Sequence, residues 1–237
     1  MSKPFRFKQF TILQDKTAMK VGTDGVLLGA WTSVESNPFS ILDIGAGTGL
    51  IALQLAQRCH AEVIDAIEID DAAYEQAVEN FENSPWSDRL FCYHAGLDEF
   101  VAEIDDKYDL IVSNPPFYTD TYKSDNLQRD TARFTDALPF EELIAGVAHL
   151  LESSGTFHTI IPYKEFAHFI HLAKANNLFP YKTCHVKGNP TADFKRSMIS
   201  FSFEEKTNLI EELIIETERH QYTDAYISLT KDFYLKL

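Results

Sequence analysis

The chain has 237 residues, 45% of them apolar and 24% charged, enough to build a sizeable core and too apolar for a disordered chain. With 21 Lys and Arg against 36 Asp and Glu its net charge is −15, the wrong overall sign for a protein that grips nucleic acid with its whole surface. No apolar run approaches the ~18–20 residues that cross a bilayer, and the basic, aromatic start Met1–Lys8 has no apolar stretch behind it, so neither a membrane protein nor an exported one is expected.

Residues 1–37 read as an N-terminal extension, closed by the polar, turn-rich Ser33–Pro38. Lys3, Arg6, Lys8, Lys16 and Lys20 make it basic. A second basic stretch holds Lys182, Lys187, Lys195 and Arg196, and the remainder of the chain is strongly acidic. Such stretches form an RNA footprint if they meet in space; from charge alone, ordinary solvated surface is the simpler reading.

From residue 38 to 204, short apolar runs alternate with helical periodicity. Ile41–Ile44, Val63–Glu68, Leu90–Tyr93 and Tyr108–Ser113 read as strands, with helices at Leu50–Arg58, from Asp71 to about Asn83, and near Leu97–Ile104. Residues 118–137 are polar and irregular, and a mobile lid there is the working expectation. A helix follows from about Pro139 to Leu151, then a strand at Phe157–Ile161 and a helix at Lys164–Asn176. Two strands in succession, Tyr181–Val186 and Ser197–Phe203, suggest a closing antiparallel hairpin. This alternation predicts an α/β fold, Rossmann-like, with about seven strands in a mostly parallel sheet and helices on both faces. Residues 205–237 are left as a C-terminal addition to a single domain.

Cys59, Cys92 and Cys184 lack C-x-x-C spacing, which fits a reducing, cytoplasmic setting. The nearest approach to metal-ligand spacing, His168 and His171 after Glu165, reads as solvated helix residues, so no metal is expected.

Leu42-Asp43-Ile44-Gly45-Ala46-Gly47-Thr48-Gly49 joins the first of these strands to its helix. Glycines there allow a tight turn and close approach to a ligand. A dinucleotide loop wants G-x-G-x-x-G; here the third glycine comes one position early, and Leu50 stands where that pattern has glycine. The D-x-G-x-G-x-G run resembles the S-adenosylmethionine (SAM) loop of class I methyltransferases. Glu68, ending the next strand, is suited to accept both ribose hydroxyls. The same resemblance expects an acid near the adenine amino group after the third strand. Gly96 stands there instead, leaving backbone contact from Leu97 or a shifted role for Asp98.

Asn114-Pro115-Pro116-Phe117 ends the fourth strand of that series. Alone, Asn-Pro-Pro is suitable chemistry for a tight loop; behind a SAM loop it matches the [ND]-P-P-[YFW] motif of amino-methyltransferases. The Asn114 side-chain oxygen and the Pro115 carbonyl can each accept one hydrogen of an exocyclic amine. The prolines pre-orient both acceptors, and Phe117 offers a face for the target ring.

Phe10–Gln14, Met19–Trp31, Lys195-Arg196 and Asp232–Leu235 resemble the bacterial tRNA1(Val) adenine-N6 methyltransferases over almost the whole chain. The resemblance implies a tRNA substrate methylated at adenine-37, just 3′ of the anticodon. It also implies that Thr23 and Asp24 line the pocket, where Gly22–Gly25 read alone is a turn and helix cap. Lys3, Arg6, Lys8, Lys195 and Arg196 are the candidates for phosphate contacts. Phe5, Phe7, Phe10 and Tyr118 or Tyr122 are candidates to stack on neighbouring bases, with most of them expected to pack instead. Asn-Pro-Pro chemistry also serves ribosomal-RNA guanine-N2 and protein glutamine N-methylation, which stay as the alternatives.

Overall fold

The computed structural model describes residues 3–17, 19–116 and 138–236. The short strands β1 (Phe5–Arg6) and β2 (Thr11–Ile12) pair antiparallel, and helix α1 (Thr23–Trp31) follows. The alternating series comes next: β3 (Ser40–Ile44), α2 (Leu50–Arg58), β4 (Val63–Glu68), α3 (Asp71–Glu82), β5 (Leu90–His94), α4 (Leu97–Glu103) and β6 (Tyr108–Ser113). Beyond residue 137 come α5 (Phe140–Leu150), β7 (Leu151–Pro162), a 3-10 turn at Tyr163–Glu165, α6 (Phe166–Ala175), β8 (Phe179–Lys187) and β9 (Arg196–Ser202). The chain ends with β10 (Leu209–Ile214), β11 (Glu216–Glu218), β12 (Gln221–Tyr222) and α7 (Asp224–Thr230).

One sheet of eight strands runs in the order β10-β8-β9-β7-β6-β3-β4-β5. Its neighbours pair parallel except on either side of β9, which is antiparallel to both β7 and β8. Parallel strands covered on both faces read as continuous apolar runs, and successive residues of β3 serve opposite cores. Ile41 joins one cluster with residues of α1, α2 and the N-terminal segment; Leu42 and Ile44 join the other, with residues of α4, α5 and α6. The chain steps outward from β3 to β4 and β5, then returns to place β6 on the other side of β3. That reversal opens a crevice at the carboxyl ends of β3 and β6, where open α/β sheets bind ligands.

The expected hairpin is present as β8 and β9, but among the described residues the sheet has eight strands where about seven were expected. The addition is β10, parallel to β8, supplied by the segment left as a C-terminal addition. Its Leu-Ile-Glu-Glu-Leu-Ile sequence does not alternate, and only Leu213 is buried. An edge strand needs no apolar pattern, and charged side chains on it discourage further pairing. Lys182 and Lys187 of β8 pair across it with Glu211 and Glu212.

The aromatic N-terminus is also decided by packing. Phe7 bridges Tyr234, and the Lys8 N–H donates to the Phe233 carbonyl at 2.9 Å. The Phe7 ring lies 4.8 Å from Phe5, 4.7 Å from Phe10 and 5.9 Å from Tyr234. Phe7 and Phe10 are buried in the core and Phe5 is half-buried against it, packing as expected for most of these aromatics and joining the two ends of the chain. Tyr118 and Tyr122 lie outside the described residues.

Candidate active site

At the carboxyl end of β3 the chain turns through Gly45, Gly47 and Gly49, with φ of 71°, 58° and 76°, a region costly for residues bearing a Cβ. The N–H groups of Gly45 and Ala46 donate to the Ile67 carbonyl at 2.9 and 3.0 Å, tying the turn to β4. A Cβ at Gly45 or Gly47 would meet nothing within 4 Å, whereas one at Gly49 would approach the Phe81 ring to 2.4 Å. The first two glycines therefore border open space, and the third allows α2 to sit against α3.

Glu68, at the end of β4, accepts the Gly47 N–H on one carboxylate oxygen at 2.8 Å and the Asp70 N–H on the other at 2.9 Å. Each oxygen keeps a further lone pair for an incoming hydroxyl. Asp43 is fully buried: Oδ2 accepts the Ala52 N–H at 3.1 Å, while Oδ1 has no partner among the described residues. Burial pushes its carboxyl up to about 7, against the lowering effect of the Ala52 bond, and the Glu68 charge adds to the rise. Open space over two glycines, a pre-set carboxylate and a buried acceptor with spare capacity fit a polyhydroxylated, cationic ligand such as SAM.

Two contacts of the same region escaped sequence reading. Asn80 of α3, almost wholly buried, accepts the Leu13 N–H at 2.8 Å and donates through Nδ2 to the carbonyls of Leu13 and Thr48, each at 2.9 Å. One side chain thus clamps the N-terminal segment to the glycine turn. Nearby, buried Gln76 accepts the Lys16 N–H at 3.0 Å. Lone polar residues on an amphipathic helix carry no sequence signal that separates them from solvated ones. At the far side of the turn, exposed Ile69 lies 3.5 Å from where a Gly96 Cβ would stand, and Asp98 Oδ1 lies 2.7 Å from it. Leu97 is buried in the core, so only its backbone is available to a ligand, while Asp98 is exposed in the first turn of α4.

On the target side, Ser113 ends β6 and its Oγ donates to the Ile44 carbonyl at 2.8 Å, joining the strand before Asn114 to the strand before Gly45. Asn114 and Pro116 are half-buried and Pro115 is buried; Phe117 lies outside the described residues, as does the expected lid at 118–137. Thr23 and Asp24 open α1, with Gly22 at its N-cap. Asp24 Oδ2 accepts from Arg196 Nε at 2.7 Å, so a residue expected to face the pocket and one expected to face RNA are paired with each other. Lys3, Arg6 and Lys195 are exposed. Lys8 instead donates through Nζ to the Lys231 carbonyl at 2.6 Å, at the C-terminus of α7, where the helix dipole favours a cation.

Among the described residues no group of three or more His, Cys, Asp or Glu is arranged to hold a metal ion, and no helix is long and apolar enough to cross a membrane. The reversal of strand order at β3, with a ligand-ready glycine turn and an acid on the neighbouring strand, defines the class: a Rossmann-like methyltransferase that uses SAM. The family model for the methyltransferase small domain matches residues 26–168. A curated tRNA1(Val) (adenine(37)-N6)-methyltransferase from Flavobacterium johnsoniae is 63% identical, over 98% of this chain and 100% of the relative. Its counterpart in Bacteroides thetaiotaomicron is 46% identical over the whole of both chains. At such identity along its full length, this chain belongs to the tRNA1(Val) (adenine(37)-N6)-methyltransferase family. Among solved structures, a predicted O-methyltransferase from Agrobacterium tumefaciens aligns with a TM-score of 0.71, covering 89% of this chain and 96% of its own, at 20% identity. That likeness concerns the fold.

Proposed function

We propose that this protein transfers a methyl group from SAM to N6 of adenine-37 in tRNA1(Val), acting in the cytoplasm as a single methyltransferase domain. On this reading residues 1–37 and 205–237 flank a catalytic core at 38–204. SAM supplies an electrophilic methyl on a sulfonium; the remaining work belongs to the chain. Gly45 and Gly47 let the backbone approach the cofactor, Glu68 takes the ribose hydroxyls, and Asp43 lends the buried turn its acceptor. Ile69, the Leu97 backbone and Asp98 border the adenine end. Thr23 and Asp24 line the wall where cofactor and target meet.

The observation that carries the reading is the Ser113–Ile44 bond, which ties the strand before Asn114 to the strand before the glycine turn. The adenine amine is a weak nucleophile because its lone pair is delocalised into the ring. The Asn114 side-chain oxygen and the Pro115 carbonyl each accept one of its hydrogens, drawing the nitrogen toward tetrahedral geometry with its lone pair aimed at the methyl. Phe117 stacks on the ring. The transfer needs no nucleophilic side chain, and the proton leaves to water after the methyl has moved. An anticodon-loop base suits such a site because it is reached without opening a duplex. Lys3, Arg6, Lys195 and Arg196 supply phosphate contacts, with Lys8 contributing from the edge of α7.

The test uses labelled SAM, total tRNA from cells lacking this gene, and nucleoside analysis. N6-methyladenosine that disappears with Asn114→Ala is the expected result. N2-methylguanosine would move the substrate to a guanine amine. An unlabelled tRNA pool in the presence of bound SAM would redirect the search to ribosomal RNA or protein glutamine.

A further inference from the structure

Beyond the end of β7, the described residues include a group of rings that the catalytic reading leaves unused. Tyr163 lies 5.2 Å from Phe194 and 4.9 Å from His185, and His185 lies 5.5 Å from Phe194 and 5.0 Å from Phe166. Tyr163 and Phe194 belong to neither of the two core clusters, and Tyr163 is 40% exposed. The β8–β9 connection has backbone bonds of its own, the Lys195 N–H donating to the Val186 carbonyl at 2.8 Å and the Tyr163 N–H to the Lys195 carbonyl at 3.1 Å.

The position follows from the strand register. Ser113 is level with Thr159 on β7, and Pro162 is level with Arg196 on β9. At about 3.3 Å per residue and 4.8 Å between strands, Tyr163 lies on the order of 10–15 Å from Asn114, on the same carboxyl edge of the sheet. A few nucleotides of RNA cover that distance. The rings are accompanied by cations in an otherwise acidic chain. Lys187 Nζ lies 5.1 Å from the Phe194 centroid, Lys195 is exposed, and Arg196 opens β9. Lys187 and Arg196 also pair with Glu212 and Asp24, and Lys164 with Glu165, so much of the local charge is balanced. Stacking, rather than phosphate contact, is therefore the chief attraction here. Tyr163 and Phe194 are tilted by 37°, so neither ring spends its whole face on the other.

We propose that Tyr163 and Phe194, backed by His185, form a stacking site for an unpaired base a short distance from the methylated adenine. The proposal rests on the anticodon-loop reading of the substrate. Stacking on such a platform tolerates any base, so the site orients the loop rather than reading its sequence.

The test is steady-state methylation of transcribed tRNA1(Val) at saturating SAM by wild type, Tyr163→Ala/Phe194→Ala and Tyr163→Phe, with SAM affinity and thermal midpoint measured on each. The double variant is expected to raise KM for tRNA on the order of tenfold, in line with the loss of one base–ring stack. The effect falls on KM rather than kcat, with SAM affinity and midpoint held, and Tyr163→Phe restores KM. A 2-aminopurine placed in the loop a few nucleotides from the target adenine is quenched on binding wild type and not on binding the double variant. A double variant with the KM of wild type overturns the proposal. So does one in which tRNA binding, SAM binding and midpoint fall together, since that pattern marks a packing role. Wild-type protein that methylates no tRNA overturns instead the functional reading on which the stacking site rests.

Discussion

In the cofactor half of the crevice, functional groups are already held by the protein: Glu68 by two backbone N–H groups, the glycine turn by Ile67, and the N-terminal segment by Asn80. In the target half, Tyr163 and Lys195 stand exposed at the sheet edge, joined to the fold through backbone bonds and through other rings. The aromatic residues divide the same way. Phe7 and Phe10 are buried in the core cluster that also takes in the helix after the glycine turn, while Tyr163 remains open. A cofactor of constant shape rewards a pre-built receptor, because little ordering is left to the moment of binding. On the proposed reading the target is a folded RNA, whose larger and more variable surface is met by side chains with room to adjust.

Truncation in the two halves separates stability from recognition. Phe7→Ala is expected to cost about 3–5 kcal/mol, as for other buried Phe truncations. Tyr163→Ala is expected to stay within about 0.5 kcal/mol of wild type. Urea unfolding of both decides the matter, and equal losses would erase the distinction between the halves.

A second test uses pH. Asp43 of β3 carries a carboxyl raised by burial to about 7, and His158 of β7 an imidazole lowered by burial to about 3, with the Arg58 and Lys182 charges adding to the drop. Between about pH 4 and 7 the folded chain keeps the Asp43 proton that the unfolded chain has lost, so this group's stabilisation falls as pH rises. Between about pH 6.5 and 3 the unfolded chain protonates His158 first, so stabilisation from the histidine falls as pH drops. The two slopes oppose each other and partly cancel. Each amounts to at most about 5 kcal/mol over its window. Stability followed from pH 4 to 7 should rise more steeply than wild type in Asp43→Asn and fall relative to wild type in His158→Gln. Variants that both track the wild-type curve would remove the effect.

Asn80→Ala is the mildest perturbation of the cofactor half. Leaving the buried Thr48 carbonyl and the half-buried backbone groups of Leu13 without their partner is expected to cost about 1–3 kcal/mol and to weaken SAM binding as well. Calorimetric titration with SAM beside thermal unfolding checks it; a destabilised variant with full SAM affinity would show that the clamp serves the fold alone.

Much of the cofactor half was legible from sequence because its chemistry is local. A glycine turn between a strand and a helix, and an acid at the next strand end, lie in short, contiguous stretches whose spacing separates one ligand class from another. Val63–Glu68 and Tyr108–Ser113 match their expected strands residue for residue, since doubly covered parallel strands show as near-continuous apolar runs, here interrupted by Asp65 and Asp109. The eighth strand was not legible, because an edge strand with one buried side chain has no period to read. The burial of the N-terminal aromatics was expected for most of them, but not their partners: only the fold brings Tyr234 against Phe7 and Trp86 against Phe10.

By itself, the sequence determined the alternating α/β order, the SAM-type loop with Glu68, and the Asn-Pro-Pro motif at a strand end, because each is written in neighbouring residues. Tertiary structure alone decided which rings are exposed, that Arg196 meets Asp24, and that Asn80 joins the arm to the turn. Those contacts bring together residues far apart in the chain, and no local pattern encodes which buried or half-buried partner a side chain will find once the sheet has formed.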